Sequence, residues 1–217
     1  MTRVQAHGVD RFLQKNSRAL LVALDELQPL PGPVLERLAN EIVSGGADGL
    51  IVTLEQADEL SELLPRVAIL VRANNASESE AAFRAGLDAV VISKTTLIPA
   101  ERGASFGVVL AGAAVAGNVD ARIVSARAFN NARKGSPVFV RLERARNERE
   151  LFKRAADPIR RGARGLVAGP TVWEHSSPRA LVRALSAVVE GKSPAKAEEI
   201  LAQEREETQT QVLRAEI

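Results

Sequence analysis

The sequence has no cysteine, which excludes disulfides, thiolate metal sites and cysteine nucleophiles. It has no tyrosine, one tryptophan and six phenylalanines. With 46% apolar residues in a chain of 217, the core must be built from Ala, Val, Leu and Ile, side chains that suit layered α/β packing. Only two histidines are present and neither sits in a carboxylate cluster, so no metal site is expected. No apolar run reaches membrane-spanning length, so no membrane partner is expected. The opening "MTRVQAHGVDRFLQKNSR" lacks the apolar stretch of a secretion signal, and the expected location is cytoplasmic. Neither charge sign dominates, with 29 basic against 27 acidic residues and a net charge of +2. Basic and aromatic residues do not alternate, so nucleic acid is not an expected partner. No glycine-rich fingerprint follows the first apolar run, which argues against a dinucleotide fold, and no cofactor is expected.

What is present is a recurring junction: "GGADGLIV" (45–52), "AGLDAVVI" (85–92), "GNVDARIV" (117–124) and "RGARGLVA" (161–168). Each reads as a helix ending in the left-handed conformation, followed by a strand buried on both faces. One βα unit takes roughly 25 residues in a barrel. The spacing of Gly46, Gly86, Asn118 and Gly162 therefore marks every second strand. Strands are expected at 19–25, 49–55, 67–73, 89–94, 107–112, 121–126, 137–143 and 165–170. Helical patterns lie between them, among them "PVLERLANEIVSG", "ESEAAFRAG" and 177–191, the last opening on a Ser N-cap and Pro178. The fold expected is α/β, a (β/α)8 TIM barrel over 1–192, with a C-terminal helical extension over 193–217 that is either a solvated terminal helix or an oligomer contact. The fifth unit is expected to be degenerate. Only "AAVAGNV" separates strands five and six, too short for a crossover helix, so either helix five or strand five itself is missing.

In a barrel, reactive groups lie at the C-terminal ends of the strands. Lys94 follows "AVVIS" and could form an imine if burial and neighbouring cations lowered its pKa; the alternative is a lysine reaching solvent from a strand end. Asp25 ends strand one, as a general base or the partner of a mouth cation. Glu143 is a second acid–base candidate. Arg72, Ser125, Arg141, Gly169 and Thr171 are the substrate-binding candidates, with Arg72 either holding an anion or pairing with Asp25 or Glu55. His175 is expected on the loop surface and Trp173 as a packing anchor.

"LDELQPLPGPVLERLANEIVSGGADGLIVT" and "AADPIRRGARGLVAGPTVWEHSSPRALVRALSAVVEGKSPAKAEEIL" resemble corresponding segments of the archaeal-type class I fructose-bisphosphate aldolases and the DeoC–LacD-like aldolases related to them. Those enzymes carry Asp-His-Gly, a Gly-Pro turn and "GGAD" in the first region, and Gly-Ala-x-Gly-apolar-Gly-Arg-x-x-Trp-Gln in the last. The resemblance runs in order over most of 18–201, strongest at the end and poor between 95 and 120. It implies the barrel independently of the periodicity. It also puts the strand-one aspartate at Asp25, with Glu26 in place of the following histidine. The imine-forming lysine of the family falls on Ser125, the phosphate-binding Gly-Gly turn on Leu142 and Glu143, and the strand-eight Gly-Arg on Gly169 and Pro170. Both the imine nucleophile and the phosphate cradle are therefore replaced. A lysine on strand four, as Lys94 is, resembles the arrangement in transaldolases.

The expected function is a divergent class I aldolase-like protein, a carbon–carbon lyase or related imine-forming enzyme on a small carbonyl substrate, not a sugar-bisphosphate aldolase. A homo-oligomer is expected. The alternative is a catalytically inactive barrel with a structural or regulatory role beside an active paralogue.

Overall fold

The computed structural model describes residues 18–63, 66–99, 106–112, 119–129 and 136–215. Eight parallel strands close into a barrel in sequence order. They are β1 (Ala19–Ala23), β2 (Gly49–Val52), β3 (Ala68–Ala73), β4 (Ala89–Ile92), β5 (Gly107–Ala111), β6 (Ala121–Ser125), β7 (Val138–Arg141) and β8 (Gly165–Ala168). Closure is completed by β8 pairing with β1, Ala19 opposite Gly165. Around them lie α1 (Gly32–Ser44), α2 (Leu54–Glu59), α3 (Ala76–Arg84), α4 (Glu148–Arg160), α5 (Pro170–Trp173), α6 (Pro178–Val189) and α7 (Pro194–Ala215).

Strand five exists and pairs with both neighbours. Of the two alternatives for the fifth unit, loss of the strand is therefore the wrong one. The link to β6 lies mostly outside the described residues, at 113–118. Every strand but β3 ends one to three residues before its expected bound. Strand two was expected to reach Glu55, but the chain turns at Thr53, whose hydroxyl accepts the Gln56 N–H while Gln56 Oε1 accepts the Thr53 N–H, a reciprocal cap that starts α2. At α6, Ser177 occupies the expected N-cap position, but its side chain makes no capping bond.

The recurring junction has a structural cause. Gly46, Gly86 and Gly162 all have positive φ, so each preceding helix stops there at little steric cost. The aspartate two residues later grips the preceding strand. Asp48 Oδ2 accepts the N–H of Leu20 at 2.9 Å, Asp88 Oδ2 that of Ile69 at 3.0 Å, and Asp120 Oδ2 that of Val108 at 2.8 Å. The backbone N–H of each aspartate donates to the carbonyl of the same residue it grips. Each even strand from β2 to β6 is thus locked in register onto its odd neighbour. At β8 the position is Arg164, which keeps only the backbone bond, to the Val138 carbonyl.

Strand alternation divides the core in two. Leu21, Ile51, Leu70, Val91, Val109, Ile123, Phe139 and Val167 fill the barrel, while their strand neighbours pack outward under the helices. The one phenylalanine inside the barrel is matched by a glycine. A Cβ on Gly165 would lie 2.7 Å from the Phe139 ring and 2.0 Å from the Ala19 carbonyl oxygen.

The last helix is not a free tail. Ala197 and Leu201 are buried, and α7 packs on α4 and α6. Among the described residues, no helix is long and apolar enough to cross a membrane.

Candidate active site at the barrel mouth

Alternation decides which polar residues look into the mouth. On β1 the barrel-facing positions are 19, 21 and 23, so Asp25 continues that side; on β3 they are 68 and 70, so Arg72 does. By the same rule Ser93, Ser125, Arg141 and Gly169 face inward at the ends of β4, β6, β7 and β8.

Arg72 Nε donates to Asp25 Oδ2 at 2.6 Å, reaching across β2. The Asp25 side chain is 5% exposed and that of Arg72 23%. Oδ1 of Asp25 is buried and has no hydrogen-bond partner. An ionised oxygen is costly to bury without a donor, so this atom is a prepared acceptor in the mouth. On the other side of β1, Glu26 reaches over β8 to pair with Arg141. Gly169 lies beside this pair: a Cβ there would make an ordinary contact with Glu26 Oε2, at 3.9 Å. The consecutive pair Asp25–Glu26 therefore sits between two arginines, forming a charged arc from β7 to β3. Ser93, Ala111 and Ser125 leave the opposite side of the mouth lined by small side chains.

Side chains from two loops fix the backbone beneath Asp25. Gln56 Nε2 donates to the Leu24 carbonyl at 3.1 Å, and Trp173 Nε1 to the Ala23 carbonyl at 3.2 Å. Trp173 is thus both a packing anchor and a donor to strand β1. Its neighbour His175 departs from expectation. The imidazole is only 13% exposed, lying 3.1 Å from Glu148 at the start of α4 and 3.0 Å from the Arg205 guanidinium of α7. Burial pushes the Glu148 carboxyl up, but hydrogen bonds from Arg205 and His175, with their charges, outweigh it and hold the group below the ordinary glutamate value. At Glu150 the Arg146 backbone N–H and then the Arg154 side chain act in the same direction.

The remaining candidates stand apart from the arc. Lys94 is exposed, one residue past the barrel-facing Ser93; its carbonyl accepts the Leu97 N–H at 3.1 Å, and among the described residues no hydrogen bond or ion pair joins its side chain to Asp25. Ser125 is exposed at the mouth in register with Arg141, and its Oγ accepts the Ala128 N–H at 3.3 Å. Glu143 is exposed and lines a cleft of about 430 Å³ between β7 and α4, with Leu142, Lys153 and Arg141, the last shared with the arc. Thr171 is half-buried in α5. Among the described residues, no group of three or more His, Asp or Glu could hold a metal ion. Sequence reasoning did not identify Glu26 as the partner of Arg141, nor Gln56 and Trp173 as supports of Asp25. The T-x-x-Q cap at 53–56 was the one readable signal for Gln56.

Fold and mouth define a (β/α)8 barrel with polar groups at its strand ends. Its structural neighbours include an archaeal fructose-1,6-bisphosphate aldolase whose catalytic Lys is covalently bound to the carbinolamine intermediate of the substrate (16% identity, TM-score 0.63, covering 84% of this chain and 99% of that one). A fructose-bisphosphate aldolase from Slackia heliotrinireducens superposes with a TM-score of 0.69 at 14% identity, over 90% and 88% of the two chains. A 3-hexulose-6-phosphate synthase from Salmonella typhimurium matches at 18% identity with a TM-score of 0.60, over 79% and 98%. At such identities the likeness is one of fold. No protein-family model matches the sequence, and no curated protein matches it.

Proposed function

We propose that this chain is a carbon–carbon lyase of aldolase-like type that acts on a small, unphosphorylated carbonyl substrate at the barrel mouth by acid–base chemistry centred on Asp25. The observation that carries the reading is Oδ1 of Asp25, buried and without a partner while Oδ2 is held by Arg72. A fixed carboxylate oxygen inside a mouth is a base positioned for a substrate proton. In the cleavage direction Oδ1 takes the proton of a β-hydroxyl and the bond between the α and β carbons breaks. The β carbon leaves as an aldehyde, and the electron pair forms an enolate at the other fragment. Arg72 and Arg141 are the cations that would hold the enolate oxygen or a carboxylate beside it. The enolate carbon is then protonated, which completes the reaction without an oxidant or reductant.

The test is exchange of α-protons. Pyruvate and dihydroxyacetone in D2O are followed by proton NMR with the native chain and with Asp25→Asn. Exchange that falls by about 10²-fold or more in Asp25→Asn is expected, the usual weight of a positioned general base. No exchange with any of a panel of small ketones and 2-oxo acids would remove the reading. Borohydride reduction with the same ketones, followed by peptide mass spectrometry, asks about Lys94 separately; an adduct there would replace acid–base chemistry by imine chemistry.

A second reading, a barrel that binds or assembles without catalysis, is favoured by one feature: both mouth arginines already carry carboxylates of the same chain. It predicts exchange rates equal to those of Asp25→Asn.

A further inference from the structure

The mouth is tied to the last helix by a continuous run of polar contacts. On α7, Arg205 pairs with Glu148, the first residue of α4. Glu148 Oε1 lies 3.1 Å from Nε2 of His175, and the same Nε2 is 3.0 Å from the Arg205 guanidinium. His175 Nδ1 lies 3.0 Å from the Ser177 carbonyl oxygen and 3.1 Å from the Ser177 nitrogen, which ties it to the turn leading into α6. Two residues before His175, the indole of Trp173 reaches strand β1 at the Ala23 carbonyl, directly beneath Asp25. Glu174 between them is held by Arg144 at 2.6 Å. The loop that carries Trp173 is therefore gripped from outside by α7 and α4, and itself grips the strand that presents Asp25.

The outer grip is local. The Ala197 and Leu201 anchors of α7 lie at its opposite end, before residue 202. At positions 204 and 205 the contacts are ion pairs: Glu204 with Arg179 and Arg183, and Arg205 with Glu148. Such partly exposed pairs are individually weak. These ion pairs can therefore break while Ala197 and Leu201 stay buried.

We propose that α7 is a strap that controls the mouth. Docked, it holds the 169–177 loop so that Trp173 pins β1 under Asp25; displaced from Arg205 onward, it frees that loop, and the mouth loses its fixed geometry. His175 and Trp173 are positioning residues in this scheme. The inference deepens the reading of Asp25 as the reactive group, but its test does not depend on it.

Trp173 is the one tryptophan of the chain, so its fluorescence reports this loop alone. The experiment compares the native chain with Arg205→Met, Arg205→Lys and Glu148→Gln. It reads Trp emission and acrylamide quenching, together with hydrogen exchange by mass spectrometry over 19–25, 169–177 and 194–215. For Arg205→Met we expect red-shifted emission, stronger quenching and exchange over 169–177 faster by about two- to thirtyfold, the range that mutations along packed networks produce. Arg205→Lys keeps the charge on Glu148 and should stay near the native values. Should Arg205→Met raise exchange throughout the barrel, Glu148→Gln, which leaves every α7 side chain in place, decides. Faster exchange over 194–215 with an unchanged tryptophan and loop in Glu148→Gln and Arg205→Met would overturn the strap and leave α7 as a cover. These readouts need no substrate, so the strap can fail while proton exchange at Asp25 stands, and the reverse.

Discussion

Replacing Arg72 by methionine removes the one described donor to the Asp25 carboxylate, whose Oδ1 is already without a partner. An uncompensated buried charge costs about 3–5 kcal/mol. The pair lies at the mouth, and Arg72 is 23% exposed, so water would enter where the guanidinium stood. That lowers the expected cost to about 2–3 kcal/mol, between an exposed and a fully buried pair. In a domain of this size 1 kcal/mol moves Tm by about 2–4 °C, so Arg72→Met should melt about 4–12 °C lower. Asp25→Asn keeps an oxygen for Arg72 Nε and should cost about 1 kcal/mol. The double variant decides the matter. With the charge gone from position 25, Arg72→Met should cost less than it does alone, so Asp25→Asn/Arg72→Met should be more stable than the sum of the two single changes predicts. The assay is urea denaturation of all four chains, read as a double-mutant cycle. A double variant as unstable as the sum of the single changes, or less stable, would refute the view of Asp25 as a buried carboxylate that depends on Arg72.

Removing the Asp88 carboxylate strips the Ile69 N–H of its acceptor inside the sheet. Asp88→Ala should therefore cost about 1–3 kcal/mol. Asp88→Asn, which keeps an oxygen there, should cost clearly less; equal losses by thermal melting would refute the register grip. Gly165→Ala forces a Cβ to within 2.0 Å of the Ala19 carbonyl and should cost about 3 kcal/mol, the upper range of overpacking. Gly86→Ala meets open space and bears only the positive-φ penalty of about 1–2 kcal/mol, so urea midpoints should rank Gly165→Ala lowest. Because the Glu148 carboxyl is depressed in the folded chain, its contribution is present above its unfolded pKa and lost as pH falls through the folded one. Stability measured from pH 6 downward should drop less steeply in Glu148→Gln than in the native chain, and parallel curves would exclude that contribution.

The barrel was legible because strands buried on both faces leave unbroken apolar runs, and because the Gly–x–Asp junction before β2 and β4 recurs with one change before β6, as Asn118–Val119–Asp120, and before β8, as Gly162–Ala163–Arg164. The strand ends were not. Runs such as "GLIVTLE" continue in composition past the point where Thr53 and Gln56 cap a helix, since capping is a matter of two side-chain bonds and not of hydropathy. In the site, Asp25 and Arg72 were legible as opposite charges at strand ends, and Arg72 pairs with Asp25 where Glu55 had been the other partner open to it. The Glu26–Arg141 pair was hidden because it spans 115 positions and reaches across the intervening strand β8. His175 looked like a surface residue because its partners, Glu148 and Arg205, come from helices on either side of it in the chain. A residue's face on a strand changes with a shift of one position, so only the exact strand phase separates Ser93 from Lys94.

That phase also gives a direct way to ask what the mouth has lost. Ser125 continues the barrel-facing series of Ala121 and Ile123, is exposed at the mouth, and stands in register with Arg141. It is also the position where the resemblance puts an imine-forming lysine. A lysine placed there would lie beside a guanidinium, and a neighbouring cation favours the neutral amine that attacks a carbonyl. Ser125→Lys should therefore be trapped by borohydride with dihydroxyacetone or pyruvate, at residue 125 and near neutral pH, whereas Ser125→Arg should not. If Ser125→Lys folds with native Trp173 fluorescence yet takes no label at residue 125, the mouth lacks more than a nucleophile. The charged arc would then be the feature that keeps a carbonyl ligand from approaching β6. Labelling at 125 would instead mean that the aldolase-like scaffold still presents this position to a substrate, and that the replacement at Ser125 is what separates its chemistry from imine catalysis.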